Sequence, residues 1–126
     1  MKLHSDLTIG ANTITAYGPD HVTVNGRRYA GSVLLDRQWL EPGWPVASIA
    51  ALTAEALAPL LARHCDVILL GTGVRQRFPA ASLLRPLIEA RKAVEVMDTG
   101  AACRTFNILV AEGRNPLAAL IVEAMP

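Results

Sequence analysis

Four side chains able to do chemistry crowd one short stretch: Asp98, Cys103, Arg104 and Asn107, all within Glu95-Val-Met-Asp-Thr-Gly-Ala-Ala-Cys-Arg-Thr-Phe-Asn107. A β-type run breaks there at Met-Asp-Thr-Gly and a helical pattern follows, the kind of junction where α/β proteins place ligands. A second turn of the same shape lies earlier, in Val67-Ile-Leu-Leu-Gly-Thr-Gly73, with Arg75 and Arg77 just after it. Helix N-termini carry unpaired N–H groups and partial positive charge, so two of them meeting would form an anion pocket. Gly71, Thr72, Gly73, Arg75, Asp98, Thr99, Arg104 and Asn107 are the candidates to line it and to bind a phosphate, a carboxylate or a protein partner. The turn fails the dinucleotide fingerprint, because Gln76 stands where a third glycine belongs, and no Gly-Lys-Ser/Thr is present. Tight turns alone would also explain the glycines.

Each candidate has a plainer job. Asp98 and Thr99 precede a helix, where a side-chain oxygen caps orphan N–H groups without any catalysis. Cys103 near a helix N-terminus and beside Arg104 has the setting of a lowered pKa and a nucleophile. No base is near in sequence, since His4, His21 and His64 are scattered, although tertiary contact could bring His64 in. A small buried cysteine explains the residue as well. Arg104 is placed to pair with Asp98 or Glu112, or to clamp an incoming anion. Asn107, three residues on, points within about 60° of it around the helix axis and would tie the helix to a neighbour if buried. Cysteines, histidines and carboxylates show no ligand spacing, so neither metal nor cofactor is implied.

These junctions need strands to hold them. The first third reads as an antiparallel β-meander, with β-prone runs at 14–17, 21–24 and 28–35. Asn25-Gly26 marks a tight hairpin between the second and third, since type I′ turns need positive φ at both central residues. Residues 38–45 read as a loop broken by Pro42, Gly43 and Pro45, with Trp39 and Trp44 either covering a sheet face or anchoring a partner. A helix is predicted over 53–63, with Pro59 inside it suggesting a kink or a later start. Strands at 67–71 and 94–97 alternate with helices over 80–90 and 101–112, and a last strand runs over 117–122. The 27-residue echo between the two turns suits a βα unit and its successor. Right-handed crossovers would set those two strands parallel and bring both turns to one sheet edge. The fold class is therefore α+β or α/β, a meander followed by a βαβαβ mixed sheet.

At 126 residues the chain is one domain, residues 1–126. Its 52% hydrophobic and 18% charged residues support a full core and argue against disorder. A formal net charge of +1 gives no global reason to expect nucleic acid. No run of about 20 apolar residues exists to span a bilayer, and residues 1–8 lack the pattern of a signal or transit peptide. Two cysteines without framework spacing read as reduced thiols and the protein as cytoplasmic.

The ordered set Val67-Ile-Leu-Leu-Gly-Thr-Gly73, Pro79 ahead of a helix, Val94-Glu-Val-Met-Asp-Thr99, Ala101-Ala-Cys-Arg-Thr-Phe-Asn107 and Glu112-Gly-Arg114 resembles a known small domain family of unknown function. That family includes bacterial uncharacterised proteins, the adipogenesis-associated domain protein and the mitochondrial respiratory complex I assembly factor 3. The resemblance covers about residues 22–122. Phe106 stands where the family more often has Tyr, which removes one hydroxyl. The resemblance implies a three-layer fold of two sheets and helices, a bacterial member, and a non-enzymatic binding or assembly role with a protein partner, by analogy a respiratory subunit. The alternative is an enzyme or binder of a small anionic metabolite using Cys103 or Asp98 with Arg104. A monomer or a homodimer fits either.

Overall fold

The computed structural model describes residues 8–123, so His4 and most of the N-terminal segment read above lie outside the described residues. The chain opens with the expected meander, β1 (Ile14–Gly18), β2 (His21–Val24) and β3 (Arg27–Tyr29), an antiparallel three-stranded sheet in the order β1-β2-β3. Asn25 and Gly26 carry φ of 52° and 83°, the positive values a two-residue primed turn requires.

The run read as one strand over 28–35 is split. After β3 the chain turns through Ala30-Gly31-Ser32, and β4 (Val33–Leu35) joins a second sheet. Ser32 fixes the changeover: its buried hydroxyl donates to the Val46 carbonyl at 2.5 Å and accepts the Val122 N–H at 2.9 Å. The expected loop over 38–45 also contains a strand, β5 (Leu40–Pro42), antiparallel to β4. Pro42 is tolerated because β5 is an edge strand, where a missing N–H breaks no ladder.

A helix follows, α1 (Ala54–Ala62), then β6 (Val67–Gly71), α2 (Ala81–Glu89), β7 (Val94–Met97), α3 (Thr99–Ala111) and β8 (Pro116–Leu120). Thr53 caps α1 by accepting the Ala56 N–H at 3.1 Å, so Pro59 sits inside the helix without delaying its start. The large sheet has the order β5-β4-β8-β6-β7; β6 lies parallel to both β7 and β8, and β4 antiparallel to β8.

The β6-α2-β7 and β7-α3-β8 crossovers step along the sheet in opposite directions. Two right-handed crossovers of that kind put their helices on opposite faces, and the core divides accordingly. Leu69, Ala118 and Leu120 pack with Phe106 and Val110 of α3 and with Ile14, Val22 and Val24 of the small sheet. Ile68, Leu70, Leu117 and Ala119 pack with Leu57, Leu60 and Leu87 of the other two helices. Strands β6 and β8 are buried at every residue, as central strands covered on both faces must be. The result is three layers: α1 and α2, the large sheet, and α3 with the small sheet.

The two tryptophans belong to this packing. Trp44 is buried and donates from Nε1 to the Ala56 carbonyl at 2.9 Å, while Trp39 lies under the Arg63 guanidinium, 4.0 Å from ring centre. They cover the sheet's face, as one of the two sequence readings held.

Candidate functional site

The two turns meet at the carboxyl ends of the central strands, and Thr99 joins them. Its hydroxyl accepts the Gly73 N–H at 2.8 Å and donates to the Ile121 carbonyl at 2.7 Å; its own N–H donates to the Gly73 carbonyl at 2.9 Å. The chain following β6, the start of α3 and the chain following β8 are thereby held at one point. Gly71 lets them pack closely, since a Cβ there would lie 3.0 Å from the Thr99 Cα and hydroxyl and would push on the start of α3. Gly73 has φ of 105°, a conformation that favours glycine, and a Cβ would run into Glu123. Glu123 is itself engaged, accepting the Val74 N–H at 2.9 Å.

The expectation of two converging helix N-termini is corrected. Only α3 follows its turn directly and brings its first residues to the cleft, among the described residues. After Gly73 the chain runs irregularly for several residues before α2 starts at Ala81. Thr72 organises that stretch: its buried hydroxyl donates to the Arg75 carbonyl at 2.6 Å and accepts the Arg77 N–H at 3.0 Å. With those bonds made, the chain is fixed in a non-helical path, and the Arg75 and Arg77 side chains stand exposed outside the pocket described below.

Asp98 caps α3, accepting the Ala101 N–H at 2.8 Å. Replacing it with Ala should cost about 1 kcal/mol of stability in chemical denaturation, the usual worth of such a cap. Asn107 acts as a surrogate strand: its amide oxygen accepts the Ile14 N–H at 2.8 Å and its NH₂ donates to the Ile14 carbonyl at 2.7 Å. One turn earlier on the same face, Arg104 donates to the Tyr17 hydroxyl, with its guanidinium 5.8 Å from the ring centre. The two residues, three apart, both bind β1, which explains their spacing. Neither Asp98 nor Glu112 pairs with Arg104, and among the described residues no carboxylate forms an ion pair with it.

Cys103 lies one residue away on the wrong side of the helix for solution chemistry. It is fully buried, and desolvation pushes its thiol up to about 12; nearby Arg104 opposes that rise and Asp98 adds to it. At neutral pH it is a thiol. The folded state holds the proton above the ordinary value of 9.0 while the unfolded chain releases it, so this group's contribution is intact below about 9 and is lost as pH rises towards 12. Native protein at pH 7.5 should leave Cys103 unmodified by iodoacetamide over hours, whereas unfolded protein alkylates within minutes; peptide mass mapping distinguishes it from half-buried Cys65. His64 does not supply a base here, since it lines a separate polar pocket with Asp36, Arg63 and Asn115.

What remains open at the junction is a cleft of about 260 Å³ between the small sheet and the start of α3. Tyr17, Pro19, Val74 and Ile121 form its apolar wall, and Asp98, Gly100 and Arg104 its polar side. Tyr17, Pro19 and Ile121 had no local signal in the sequence: Tyr17 reaches Arg104 across 87 residues, and only the packing of β1 against α3 brings them together. Of the residues anticipated, Gly73, Asp98, Thr99 and Arg104 line the cleft, while Gly71, Thr72, Arg75 and Asn107 support or flank it. Among the described residues no group of histidines, cysteines and carboxylates could hold a metal.

Comparison with known proteins yields one family model, "Protein of unknown function (DUF498/DUF598)", which matches residues 14–121. A zebrafish (Danio rerio) protein named NADH dehydrogenase [ubiquinone] 1 alpha subcomplex assembly factor 3 is 37% identical over 113 residues, covering 86% of this chain and 63% of that protein. The 13 kDa major membrane protein of Francisella tularensis is 34% identical over 83 residues, 66% of this chain and 68% of that one. The crystal structure of a Bordetella parapertussis protein superposes with a TM-score of 0.83 at 38% identity, covering 90% of this chain and 98% of the other.

Proposed function

The chain belongs to the DUF498/DUF598 family of proteins of unknown function, and on that premise we propose that it is a non-enzymatic binding or assembly protein whose partner docks at the Tyr17–Arg104 cleft. The observation that carries this reading is the combination in that cleft of a guanidinium with no ion-pair partner among the described residues and exposed apolar groups, Tyr17 and Val74. A cation seated against apolar surface can anchor a carboxylate-bearing, partly apolar segment of another protein. The assembly-factor name borne by the zebrafish relative supports a protein partner, and extends by analogy to respiratory complex I assembly. A cytoplasmic setting accords with this role, and no helix among the described residues is long and apolar enough to cross a membrane.

The buried thiol of Cys103 supports binding over catalysis. If the cleft instead takes a small anionic metabolite, Arg104 would still be its clamp.

The test is affinity purification from the native host with wild-type and Arg104→Ala protein, followed by mass spectrometry. A specific protein partner should be retained by the wild type and lost in the variant, with thermal stability unchanged. Recovery of the same partner by both proteins would remove the cleft from the docking surface.

A further inference from the structure

The charge of this chain is unevenly placed. Five of its twelve basic residues and one of its eleven acidic residues fall within 74–92, so that segment carries a formal +4 and the remainder −3. The segment comprises the irregular stretch after β6 and helix α2. Lys92 is occupied, donating to the Arg63 carbonyl at 2.6 Å. Arg75, Arg77, Arg85 and Arg91 are exposed, and none forms an ion pair among the described residues; Glu89 pairs with none of them.

Bulky exposed apolar side chains are interspersed with these arginines along the segment. Phe78 is 74% exposed and Ile88 is 59% exposed. Helix α2 points Leu87 inward to the core, and its exposed stripe runs Ala81, Arg85, Ile88 at helical spacing. Phe78 and Ile88 protrude and line neither the cleft at Tyr17 nor the groove between α1 and α2. A peptide partner would be gripped by pockets, whereas protruding Phe and Ile amid unpaired arginines suit a soft anionic interface that they can enter.

We propose that residues 74–92 form a peripheral docking face for an anionic lipid surface, with the four arginines at the headgroups and Phe78 and Ile88 inserted at the acyl boundary. This face adjoins the protein-docking cleft at Val74, but its working groups, the four arginines with Phe78 and Ile88, lie outside the cleft and do not depend on it.

The experiment is co-sedimentation at about 0.1 M salt of the full chain with vesicles of phosphatidylcholine alone and of phosphatidylcholine with one-third phosphatidylglycerol. The wild type should pellet with the anionic vesicles and stay in the supernatant with the neutral ones. An Arg85→Glu/Arg91→Glu variant should lower the partition coefficient by roughly tenfold or more. Phe78→Ser, a change at an exposed position, should lower it several-fold with the salt dependence and melting temperature retained. Absence of wild-type binding, equal binding to neutral vesicles, or charge-reversed protein that binds like wild type would each overturn the proposal. Capture by immobilised polyglutamate without any vesicle binding would reassign the strip to an acidic polypeptide.

Discussion

Thr99→Val is expected to lower the free energy of unfolding by roughly 2–5 kcal/mol, since it leaves a buried donor and a buried acceptor unpaired. Valine keeps the shape of threonine, so packing is little changed. The hydroxyl, however, is the common partner of the Gly73 N–H and the Ile121 carbonyl, at 2.8 and 2.7 Å, and Thr99 is only 7% exposed. Water has little access to replace it. Thr99→Ser supplies the control: it keeps the hydroxyl, and its loss should be about 1 kcal/mol, for one missing methyl. Urea denaturation of the three proteins gives the comparison. A valine variant within about 1 kcal/mol of wild type would mean that the two backbone groups find other partners and that the junction is not pinned by this side chain. The effect should exceed that of Asp98→Ala because the capped Ala101 N–H can turn to solvent, whereas the groups at Thr99 cannot.

How far this junction was readable from the sequence depends on the range of each contact. Local chemistry was legible: Asn25-Gly26 specifies its turn, Thr53 and Asp98 their helix starts, and the parallel pairing of β6 and β7 follows from the βαβ pattern. Misreadings arose where a distant partner overrides local preference. Residues 28–35 are continuously β-prone, yet Ser32 bonds to Val46 and Val122 and breaks the run between two sheets. Residues 74–79 lie outside the helix predicted over 80–90, but the Thr72 hydroxyl's bonds to Arg75 and Arg77 fix them in an irregular path that sets the start of α2 apart from the Gly73 turn. Leu40-Glu-Pro42 has too little apolar periodicity to be read as a strand and becomes one because β4 offers an open edge. For the same reason the cleft was half visible. Asp98 and Arg104 are neighbours in sequence; Tyr17 and Ile121, which complete it, arrive through sheet packing alone.

Phe106→Ala should cost about 3–5 kcal/mol, the range for truncating a fully buried aromatic side chain. Phe106 has no exposed surface and lies in the cluster that joins α3, the large sheet and the small sheet. Its neighbours there include residues of β4, β6 and β8 as well as Ile14, Val22 and Val24, all held in position by strand pairing. Such walls collapse poorly, which places the cost towards the upper end of the range. An apolar cavity of that kind stays dry and accepts an apolar guest, so xenon or benzene should raise the variant's melting temperature and leave the wild type unaffected. A loss below about 1.5 kcal/mol with no response to the guest would show that the layers close over the gap. The variant also separates stability from recognition. Arg104 lies two residues away but is exposed, so Arg104→Ala should move stability by no more than about 0.5 kcal/mol and yet abolish retention of the partner. Phe106→Ala, assayed well below its melting temperature, should do the reverse, because Asn107 and Arg104 still hold α3 against Ile14 and Tyr17. If both variants lost the partner in proportion to their lost stability, binding would follow from the integrity of the layer as a whole, and the cleft would have no claim of its own.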